Sequence, residues 1–409
     1  MSYLISHQEK KIDSCFKIKG SKSESNRLLI LKAFYKNIFI KNISNSEDTS
    51  ILEKNLKNLK NKINVNHAGT AMRFLTAYLS IQAEKNFEIY GSKRMHERPI
   101  KVLVDALNSI GADIKYLEKD GFPPLIIRGK KIQKDSISIP SNVSSQYISA
   151  LLLISPMLKN GLTIKLKEAI ASRPYIDMTL FFLRNIGVKL ISKQYEIKVT
   201  HTESIKDFKY SVESDWSSLS YFYSIVSLAK NASLKIDKFH KNTVQGDKRL
   251  VQIYKNLGVR TSFKGSSVYL KKDVSLKIPD RIILDLVDCP DIAQTIAVSC
   301  FGLGISCELN GLHTLKIKET DRLFALKNEL EKLGASVQIS DKSLHLEKSE
   351  KIKTNIKINT YDDHRMAMSF AALAIKIPII INDPMVIKKS FPDFWTVLKA
   401  LGFKLSKIN

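Results

Sequence analysis

A repeated pair of segments constrains the fold of this chain of 409 residues more than any single motif does. The first segment is an amphipathic helical pattern that ends in Gly and runs directly into a β-rich stretch, as in LVDALNSIGADI. Gly just past a helix end supplies the left-handed backbone that satisfies the last helical carbonyls. The pattern recurs at spacings of 76, 71, 76 and 68 residues, with its glycines at Gly111, Gly187, Gly258, Gly334 and Gly402. Residues 52–65 carry a sixth copy without the Gly.

The second segment is a helical pattern that is apolar on most sides and opens on a small or acidic residue. Its six copies open near Ser23, Gly69, Ser144, Asp215, Asp291 and Asp363. Helices this apolar have to be buried, and Ser and Asp are good caps for helix N-termini. The Gly-ended segments and the apolar segments alternate along the chain, with six copies of each at a spacing of roughly 70 residues. This alternation predicts an α/β fold of six βαβαββ units, three in each of two domains. An ordinary α/β protein with loosely similar βα units is the alternative.

The charge balance points to an anionic partner. Lys and Arg number 65 against 40 Asp and Glu, so the formal net charge is +25. Nucleic acid, an anionic membrane surface and small anionic substrates all fit that number. No apolar run approaches the roughly 18–20 residues of a membrane-spanning helix, no secretory pattern is visible at the start, and the four cysteines form no C-x-x-C pair. We therefore expect a cytoplasmic protein with reduced thiols.

Only 12 of the 65 cationic residues are Arg. Their positions favour one of the three kinds of anionic partner. Seven lie at or beside the openings of the apolar helices: Arg27, Arg73, Arg94, Arg98, Arg173, Arg322 and Arg365. Helix N-termini attract anions, and Arg binds phosphate and carboxylate bidentately. The sequence contains no metal-ligand spacing, no G-x-G-x-x-G and no defensible Ser–His–Asp order. We therefore expect chemistry on small, multiply anionic substrates without a metal or other cofactor.

Each opening also has a plainer interpretation. Ser144 and Asp291 are good helix caps, the KETDR segment suits a solvated turn, and KGSKSESNR suits an ordinary capped helix. The functional interpretation depends on the set as a whole rather than on any one member.

Ten sequence blocks, in order, resemble one enzyme family. They are GSKSESNR, HAGTAMRFL, RMHERPI, SSQYISALLL, SRPYIDMT, QGDKR, PDIAQT, KETDRL, DDHRMAM and KKSFPDFW. Together they resemble the 5-enolpyruvylshikimate-3-phosphate synthases from about Lys19 to Phe394. The resemblance implies a two-domain inside-out α/β barrel with three βαβαββ repeats per domain. It implies an N-terminal domain of residues 18–213, a discontinuous C-terminal domain of residues 1–17 plus 214–409, and an active site in the interdomain cleft.

The resemblance also implies the reaction. The enolpyruvyl group of phosphoenolpyruvate would pass to the 5-hydroxyl of shikimate 3-phosphate with release of phosphate, by addition and elimination in the shikimate pathway to aromatic amino acids. The family motifs assign shikimate 3-phosphate to Lys22, Ser23, Arg27, Ser144, Ser145, Gln146, Ser172, Asp291 and Lys318. They assign phosphoenolpyruvate to Lys22, Gly69, Arg98, Gln146, Arg322, Arg365 and Lys389. The implied catalytic residues are Asp291 as base, Glu319 as proton donor and Lys22 at the departing phosphate.

The chain departs from the usual family pattern at three positions near these residues. His67 replaces the Asn before A-G-T, Phe74 replaces a common Pro, and Thr314 replaces an Asn four residues before the KETDR lysine. None of the three removes a charged catalytic group, so we expect them to affect affinity rather than the reaction.

Two other functions compete with this interpretation. The related enolpyruvyl transferase that acts on UDP-N-acetylglucosamine typically uses a loop Cys, and none of the four cysteines of this chain lies in a matching Arg-rich loop. A non-enzymatic anion-binding or nucleic-acid-binding protein would concentrate basic residues in stripes with aromatics, whereas Lys is scattered through every repeat. We therefore expect a monomer that binds small-molecule substrates and neither nucleic acid nor a membrane.

Overall fold

The chain divides into two compact units. The computed structural model describes residues 1–9, 11–140, 144–167 and 172–408. The discontinuous unit comprises Met1–Lys19 and Glu213–Asn409, and the central unit comprises Gly20–Val212. The chain therefore passes between units at 19/20 and 212/213, where the family pattern implied 17/18 and 213/214.

The helices of the described residues follow one another along the chain. They are α1 (Lys22–Phe34), α2 (Glu47–Lys57), α3 (Gly69–Ser80), α4 (Lys93–His96), α5 (Lys101–Ser109), α6 (Ser145–Ile154), α7 (Arg173–Asn185), α8 (Trp216–Leu228), α9 (Leu250–Lys255), α10 (Ala293–Leu303), α11 (Arg322–Lys332), α12 (His364–Ala371) and α13 (Phe394–Ala400).

The strands alternate with them. They are β1 (Ser2–Ser6), β2 (Ile12–Lys17), β3 (Ile38–Lys41), β4 (Lys62–Asn64), β5 (Asn86–Tyr90), β6 (Asp113–Tyr116), β7 (Leu125–Arg128), β8 (Ser136–Ile139), β9 (Leu162–Leu166), β10 (Leu190–Ser192), β11 (Glu196–Val199), β12 (Phe208–Ser211), β13 (Ala232–Asp237), β14 (Val259–Lys264), β15 (Ser267–Lys272), β16 (Arg281–Asp285), β17 (Ser306–Asn310), β18 (Val337–Ile339), β19 (Leu344–Leu346), β20 (Lys357–Ile358), β21 (Ile379–Asn382) and β22 (Lys404–Ile408).

Five of the six sheets formed by the described strands share one topology. In the sheet β4-β5-β7-β6 the first two strands are parallel and are joined through α3, and each later neighbour is antiparallel. The same order is found in β8-β9-β11-β10, β2-β13-β15-β14, β16-β17-β19-β18 and β20-β21-β1-β22. In three of the five sheets, which begin with β4, β8 and β16, a crossover helix between the parallel strands followed by a hairpin produces this order. The predicted mixed α/β architecture with a recurring unit is therefore confirmed.

The sixth sheet is incomplete. In the described part of the chain it contains only β3 and β12, which are parallel. The sequence copy without a terminal Gly, residues 52–65, covers most of α2 and leads into β4, the first strand of the next sheet, rather than into a hairpin. Six sheets are found, as six predicted βαβαββ units require, but the described strands of this one number two rather than four.

The first strands of the chain complete sheets of the discontinuous unit. β1 pairs antiparallel with both β21 and β22, and β2 lies parallel to β13. Strands from the two ends of the chain thus share one sheet.

The apolar helices are buried, as predicted. α1, α3 and α6 pack together in the central unit, and α8, α10 and α12 do so in the discontinuous unit. Hydroxyl groups link the second trio: Ser220 and Thr295 lie 3.1 Å apart, and Thr295 and Ser369 lie 3.2 Å apart. Buried hydroxyls are tolerated because they are hydrogen-bonded. The buried helices bring their N-terminal ends, where the candidate residues lie, to fixed positions within each unit.

The predicted helix-ending glycines have the expected backbone. All five have φ between +80° and +112°, and each is followed within three residues by a strand. No helix within the described ranges is long and apolar enough to span a membrane.

We predict that Gly129→Ala destabilises the central unit. A Cβ at this position, just after β7, would lie 1.8 Å from the backbone oxygen of Gln82, which cannot move aside like a flexible side chain. Overpacking of this kind costs about 1–3 kcal/mol, measured as a lower thermal midpoint. Lys130→Ala is the control, because it removes only a surface ion pair with Asp113 worth less than about 1 kcal/mol. Equal midpoints for the two variants would contradict the argument.

Candidate active site

Arg322, the first residue of α11, is buried against three carboxylates. Its Nε donates to Asp363 Oδ2 at 2.6 Å, Nη1 to Asp291 Oδ1 at 2.9 Å and Nη2 to Glu319 Oε2 at 2.7 Å. The side chain is 2% exposed. The planar guanidinium presents several fixed donors at once, so one side chain orients all three acids.

Two helix starts meet at this arginine. Asp321 caps α11 through backbone N–H groups of the first turn, and Asp363 caps α12 by accepting from the Arg365 N–H at 2.8 Å. Asp363 therefore caps one helix while pairing with the first residue of the other. The predicted helix-opening role of Asp363 is confirmed, and its ion pair is an addition that the sequence did not indicate.

Asp291 is surrounded by cations. Its carboxylate lies 2.9 Å from Arg322, 3.3 Å from Arg365 and 3.4 Å from Lys318. Burial favours the neutral acid, but the three cations outweigh burial and hold the pKa of Asp291 well below its usual range. The alternative role as a cap of α10 is wrong, because the N-cap is Ile292 and has no side-chain capping bond.

Glu319 uses both carboxylate oxygens. Oε2 accepts from Arg322, and Oε1 lies 3.3 Å from Lys389 Nζ. Lys389 ends a 3-10 turn and is 7% exposed. Burial lowers the pKa of the neighbouring Lys318, with the charge of Asp291 opposing that shift. Both lysines are thus held close to carboxylates in a poorly solvated position.

These side chains form a single network, here termed the Arg322 cluster. Its members are Asp291, Lys318, Glu319, Arg322, Asp363, Arg365 and Lys389. Six of the seven were predicted site residues, and Asp363 is the exception. Four cations face three carboxylates, so the cluster carries a surplus positive charge suited to an anionic ligand.

A further carboxyl group, Asp247, lies near the cluster. It is 4% exposed, Oδ2 accepts from the Ser217 hydroxyl, and Oδ1 has no hydrogen-bond partner among the described residues. Burial first, and then the charge of Asp291, raises the pKa of Asp247 to about 6. The QGDKR block contains this residue, but nothing in the pattern of that block indicates a buried acid.

Lys22 opens α1 in the central unit and is paired with an acid. Its Nζ lies 3.0 Å from Asp48 Oδ2, and Asp48 is 3% exposed in the first turn of α2. Ser46 provides the cap of that helix, since its side chain accepts from the Thr49 N–H. Asp48 was missed because an acid in a first helical turn is typical of ordinary helices.

Arg27 is a buried cation with neutral hydrogen-bond partners. Its Nε donates to Thr179 Oγ1 at 2.8 Å, Nη1 to the Ser23 carbonyl at 2.9 Å and Nη2 to Ser149 Oγ at 3.0 Å. Burial lowers the pKa of Arg27 to about 10, with Tyr175 opposing the shift. A desolvated guanidinium held by neutral oxygens favours an incoming anion.

Gly69 and Arg98 lie against each other at the start of α3. A Cβ on Gly69 would lie 2.5 Å from Arg98 Nη1. The next residue's carbonyl, Pro99 O, accepts from Arg73 Nη2 at 2.9 Å and from the Tyr147 hydroxyl at 2.5 Å. Arg73 and Tyr147 thus fix the backbone beside Arg98. Tyr147 was not among the predicted residues.

The Ser and Gln candidates lie at the starts of α6 and α7. Ser144 caps α6 by accepting from the Gln146 N–H, and Gln146 Nε2 donates to Thr70 Oγ1 at 3.2 Å. Gln146 is therefore tied to the helix that begins at Gly69. Ser145 is buried, and Ser172 precedes α7 with φ +55°, a backbone conformation that is uncommon for a residue other than Gly.

Two of the seven arginines at helix openings form surface pairs instead. Arg94 binds Glu97 at 2.9 Å, and Arg173 binds Asp177 at 2.7 Å, with all four side chains substantially exposed. Spacing along the chain alone could not distinguish them from the buried arginines.

The three departures from the family pattern have different surroundings. Phe74 is buried, with its ring centre 5.5 Å from the Arg27 guanidinium carbon. His67 Nδ1 lies 2.8 Å from Ser92 Oγ. Thr314 is 7% exposed, and its hydroxyl has no hydrogen-bond partner among the described residues. Phe74 thus packs against a candidate ligand-binding arginine.

Among the described residues, no group of three or more His, Cys, Asp or Glu side chains is arranged to hold a metal ion.

Comparisons with known proteins agree on one family. The model of EPSP synthase (3-phosphoshikimate 1-carboxyvinyltransferase) matches residues 60–398. A 3-phosphoshikimate 1-carboxyvinyltransferase of Bacteroides fragilis is 40% identical over 407 residues, covering 98% of each chain. One from Buchnera aphidicola is 36% identical over 422 residues, covering 95% of this chain and 96% of its own.

Solved structures share the fold. EPSP synthase from Acinetobacter baumannii aligns with a TM-score of 0.80 at 20% identity, covering 99% of this chain and 100% of its own. The enolpyruvyl transferase NikO from Streptomyces tendae aligns with a TM-score of 0.75 at 12% identity, covering 100% and 99%. The full-length sequence similarity confirms the resemblance seen in the ten motif blocks, and the chain belongs to the EPSP synthase (3-phosphoshikimate 1-carboxyvinyltransferase) family.

Proposed function

We propose that this chain transfers the enolpyruvyl group of phosphoenolpyruvate to the 5-hydroxyl of shikimate 3-phosphate and releases phosphate. The observation that carries the proposal is the Arg322 cluster, in which family motifs far apart in the sequence meet with a surplus of cations. Family membership supplies the substrate identities. Both substrates carry phosphate and carboxylate groups, which match guanidinium and ammonium donors.

Phosphoenolpyruvate is assigned to residues from both units. The proposed set is Lys22, Gly69, Arg98, Gln146, Arg322, Arg365 and Lys389. The surplus positive charge of the Arg322 cluster supports the assignment of Arg322, Arg365 and Lys389. The position of Arg98 over the start of α3 supports the assignment of Arg98 itself and of Gly69. Gly at position 69 leaves the guanidinium and the helix N–H groups accessible to one anion.

Shikimate 3-phosphate is assigned to a set richer in hydroxyl groups. The proposed set is Lys22, Ser23, Arg27, Ser144, Ser145, Gln146, Ser172, Asp291 and Lys318. The lowered pKa of buried Arg27 supports its role, because a nearby anion would relieve the cost of burying that charge.

In the proposed addition step, the substrate 5-hydroxyl attacks C2 of phosphoenolpyruvate. Asp291 accepts the hydroxyl proton, while Glu319, protonated once the substrate anions bind Arg322 and Lys389, donates a proton to C3 and a tetrahedral ketal forms. An acid held ionised by three cations is a weak base. Substrate anions that bind those cations would raise the pKa of Asp291, so the base becomes effective once the substrates are bound.

The proposed elimination step restores the double bond. Glu319 takes a proton back from C3, the C2–O bond to phosphate breaks, and the phosphate leaves with the proton held by Asp291. Lys22 stabilises the charge on the departing phosphate. Each carboxyl group thereby returns to its starting protonation state.

Domain arrangement, location and assembly are also proposals. We propose a two-domain inside-out barrel with domains 18–213 and 1–17 plus 214–409; the fold match and the shared sheet topology support it. Substrates would bind in the interdomain cleft. Four free thiols fit a reducing compartment, so we propose cytoplasmic action, as a monomer that binds neither nucleic acid nor a membrane.

Phosphate release tests the function. Phosphoenolpyruvate is supplied with and without shikimate 3-phosphate, and released phosphate is measured. Release that depends on shikimate 3-phosphate supports the proposal. No release, or release at the same rate without shikimate 3-phosphate, would refute it.

We predict that Lys22→Ala and Glu319→Gln each lower kcat by at least about a hundredfold, in line with the contribution of general acid–base catalysis. Glu331→Gln is the control, because it changes an acid of α11 whose contact with Lys327 is on the surface. Turnover near the wild-type value in Lys22→Ala or Glu319→Gln would remove that residue from the chemistry.

Asp48→Asn should lower kcat by about tenfold, a smaller loss than in Lys22→Ala, because the lysine remains but loses its charged partner. The control is Glu53→Gln in the same helix, which breaks only an exposed pair with Lys57. Steady-state turnover at saturating substrates measures both. An Asp48→Asn enzyme as fast as the control would show that the pair does not position Lys22.

Asp247 should reduce stability at neutral pH. Because its folded-state pKa is raised to about 6, protonation stabilises the fold fully below about pH 4, and this contribution is lost as pH rises through about 6. Asp247→Asn should therefore match wild type near pH 4 and be more stable at pH 8, by about 3 kcal/mol. Thermal midpoints at the two pH values measure this. The exposed Asp13→Asn variant is the control, and a pH-independent difference for Asp247→Asn would contradict the prediction.

A further inference from the structure

We propose that Glu329 and Tyr361 are positioning residues that hold a strained turn in the conformation that places Arg365 for phosphoenolpyruvate. The proposal deepens the function proposed above and rests on the assignment of Arg365 to that substrate. Neither residue belongs to the Arg322 cluster, and neither lies among the residues that the family motifs assigned.

The turn leads from β20 into α12, and two of its consecutive residues have unusual backbone. Tyr361 and Asp362 both have φ +53°. Left-handed backbone is unfavourable for residues other than Gly, so two in succession persist only where surrounding contacts hold them. Asp363, which caps α12, and Arg365 follow immediately. A relaxation of the turn to negative φ would therefore move the start of α12.

One helix holds the turn at two places. At the first turn of α11, Arg322 Nε binds Asp363 at 2.6 Å. Seven residues later, Glu329 Oε1 accepts from the Tyr361 hydroxyl at 2.6 Å, and Oε2 accepts from the Asn359 N–H at 3.1 Å. Residues seven apart lie two turns apart on the same face of a helix. One face of α11 thus holds the turn on both sides of Asp362, through Tyr361 before it and Asp363 after it.

The contact of Glu329 with the turn is buried in the fold and is not a surface contact. The Glu329 side chain is completely buried, and Lys332 Nζ donates to both of its oxygens at 2.7 and 2.9 Å. Burial, together with the bond to Glu329, raises the pKa of Tyr361 to about 12, so its hydroxyl donates throughout the neutral range. Lys332 balances the buried charge of Glu329. The hydrogen bond from Tyr361 to Glu329 is therefore not needed for charge balance, and its effect is to restrain the turn.

Removing one hydroxyl tests the restraint. Tyr361→Phe retains the ring and should raise KM for phosphoenolpyruvate about tenfold, which corresponds to about 1.4 kcal/mol, while KM for shikimate 3-phosphate stays within about twofold. An unequal effect on the two substrates distinguishes positioning from a general loss of structure.

Gly at the strained position should rescue the variant. With Asp362→Gly, φ +53° is no longer unfavourable at one of the two strained positions, so the turn has less tendency to relax when the Tyr361 bond is absent. Tyr361→Phe combined with Asp362→Gly should therefore recover part of the affinity for phosphoenolpyruvate, with a KM at least about threefold below that of Tyr361→Phe alone. Asn355→Gly, at a position with φ +61° outside this turn, is the matched control and should give no rescue.

The proposal is overturned by an unchanged KM for phosphoenolpyruvate in Tyr361→Phe, by an equal rise in both KM values, or by the absence of rescue by Asp362→Gly. Rescue by Asn355→Gly as large as that by Asp362→Gly also overturns it. Arg365→Ala is measured in parallel. If it leaves KM for phosphoenolpyruvate unchanged, both the site assignment and this proposal fail, whereas failure of Tyr361→Phe alone leaves the assignment intact.

Discussion

The ion pairs of Arg322 with three carboxylates are the interaction on which the site in the discontinuous unit depends. Burying one cation with three acids is unfavourable unless each group is paired and hydrogen-bonded. Arg322 meets that condition because its three nitrogens each reach a different acid. The remaining cations of the Arg322 cluster leave a net positive charge in a poorly solvated place. Such an arrangement contributes little to stability and is well suited to small anions.

The fold supplies this arrangement through helix starts. α11 begins at Arg322 and α12 begins one residue after Asp363, so a capping acid of one helix binds the first residue of the other. In the central unit, α1, α3 and α6 likewise begin at candidate ligand-binding residues, which are Lys22, Gly69 and Ser145. A repeated strand–helix unit thus presents similar helix ends, and side-chain chemistry distinguishes them.

Sequence patterns predicted the parts of the fold that local rules govern. The glycine-ended helices and the buried apolar helices follow from periodicity and capping, and both are confirmed. The incomplete sixth sheet was missed because strand pairing between β3 and β12 spans almost the whole central unit.

The site was predictable where motifs carry charge and unpredictable where distant residues pair. Asp48 binds a lysine 26 residues away, and Tyr361 binds an acid 32 residues away. Each looks like an ordinary helix or loop residue in the sequence. Arg94 and Arg173 show the converse error, since their positions beside helix openings say nothing about burial.

We propose that the cations that hold Asp291 ionised are the ones that the substrate anions bind. The most direct test follows the carboxyl carbon of Asp291 by NMR in protein labelled with 13C-aspartate, with Asp291→Asn assigning the signal. Titration without and then with phosphoenolpyruvate, the substrate assigned to Arg322 and Arg365, gives the pKa in each state. We expect a pKa well below the usual range in the free protein and a higher pKa in the complex. A pKa that phosphoenolpyruvate leaves unchanged would contradict this proposal.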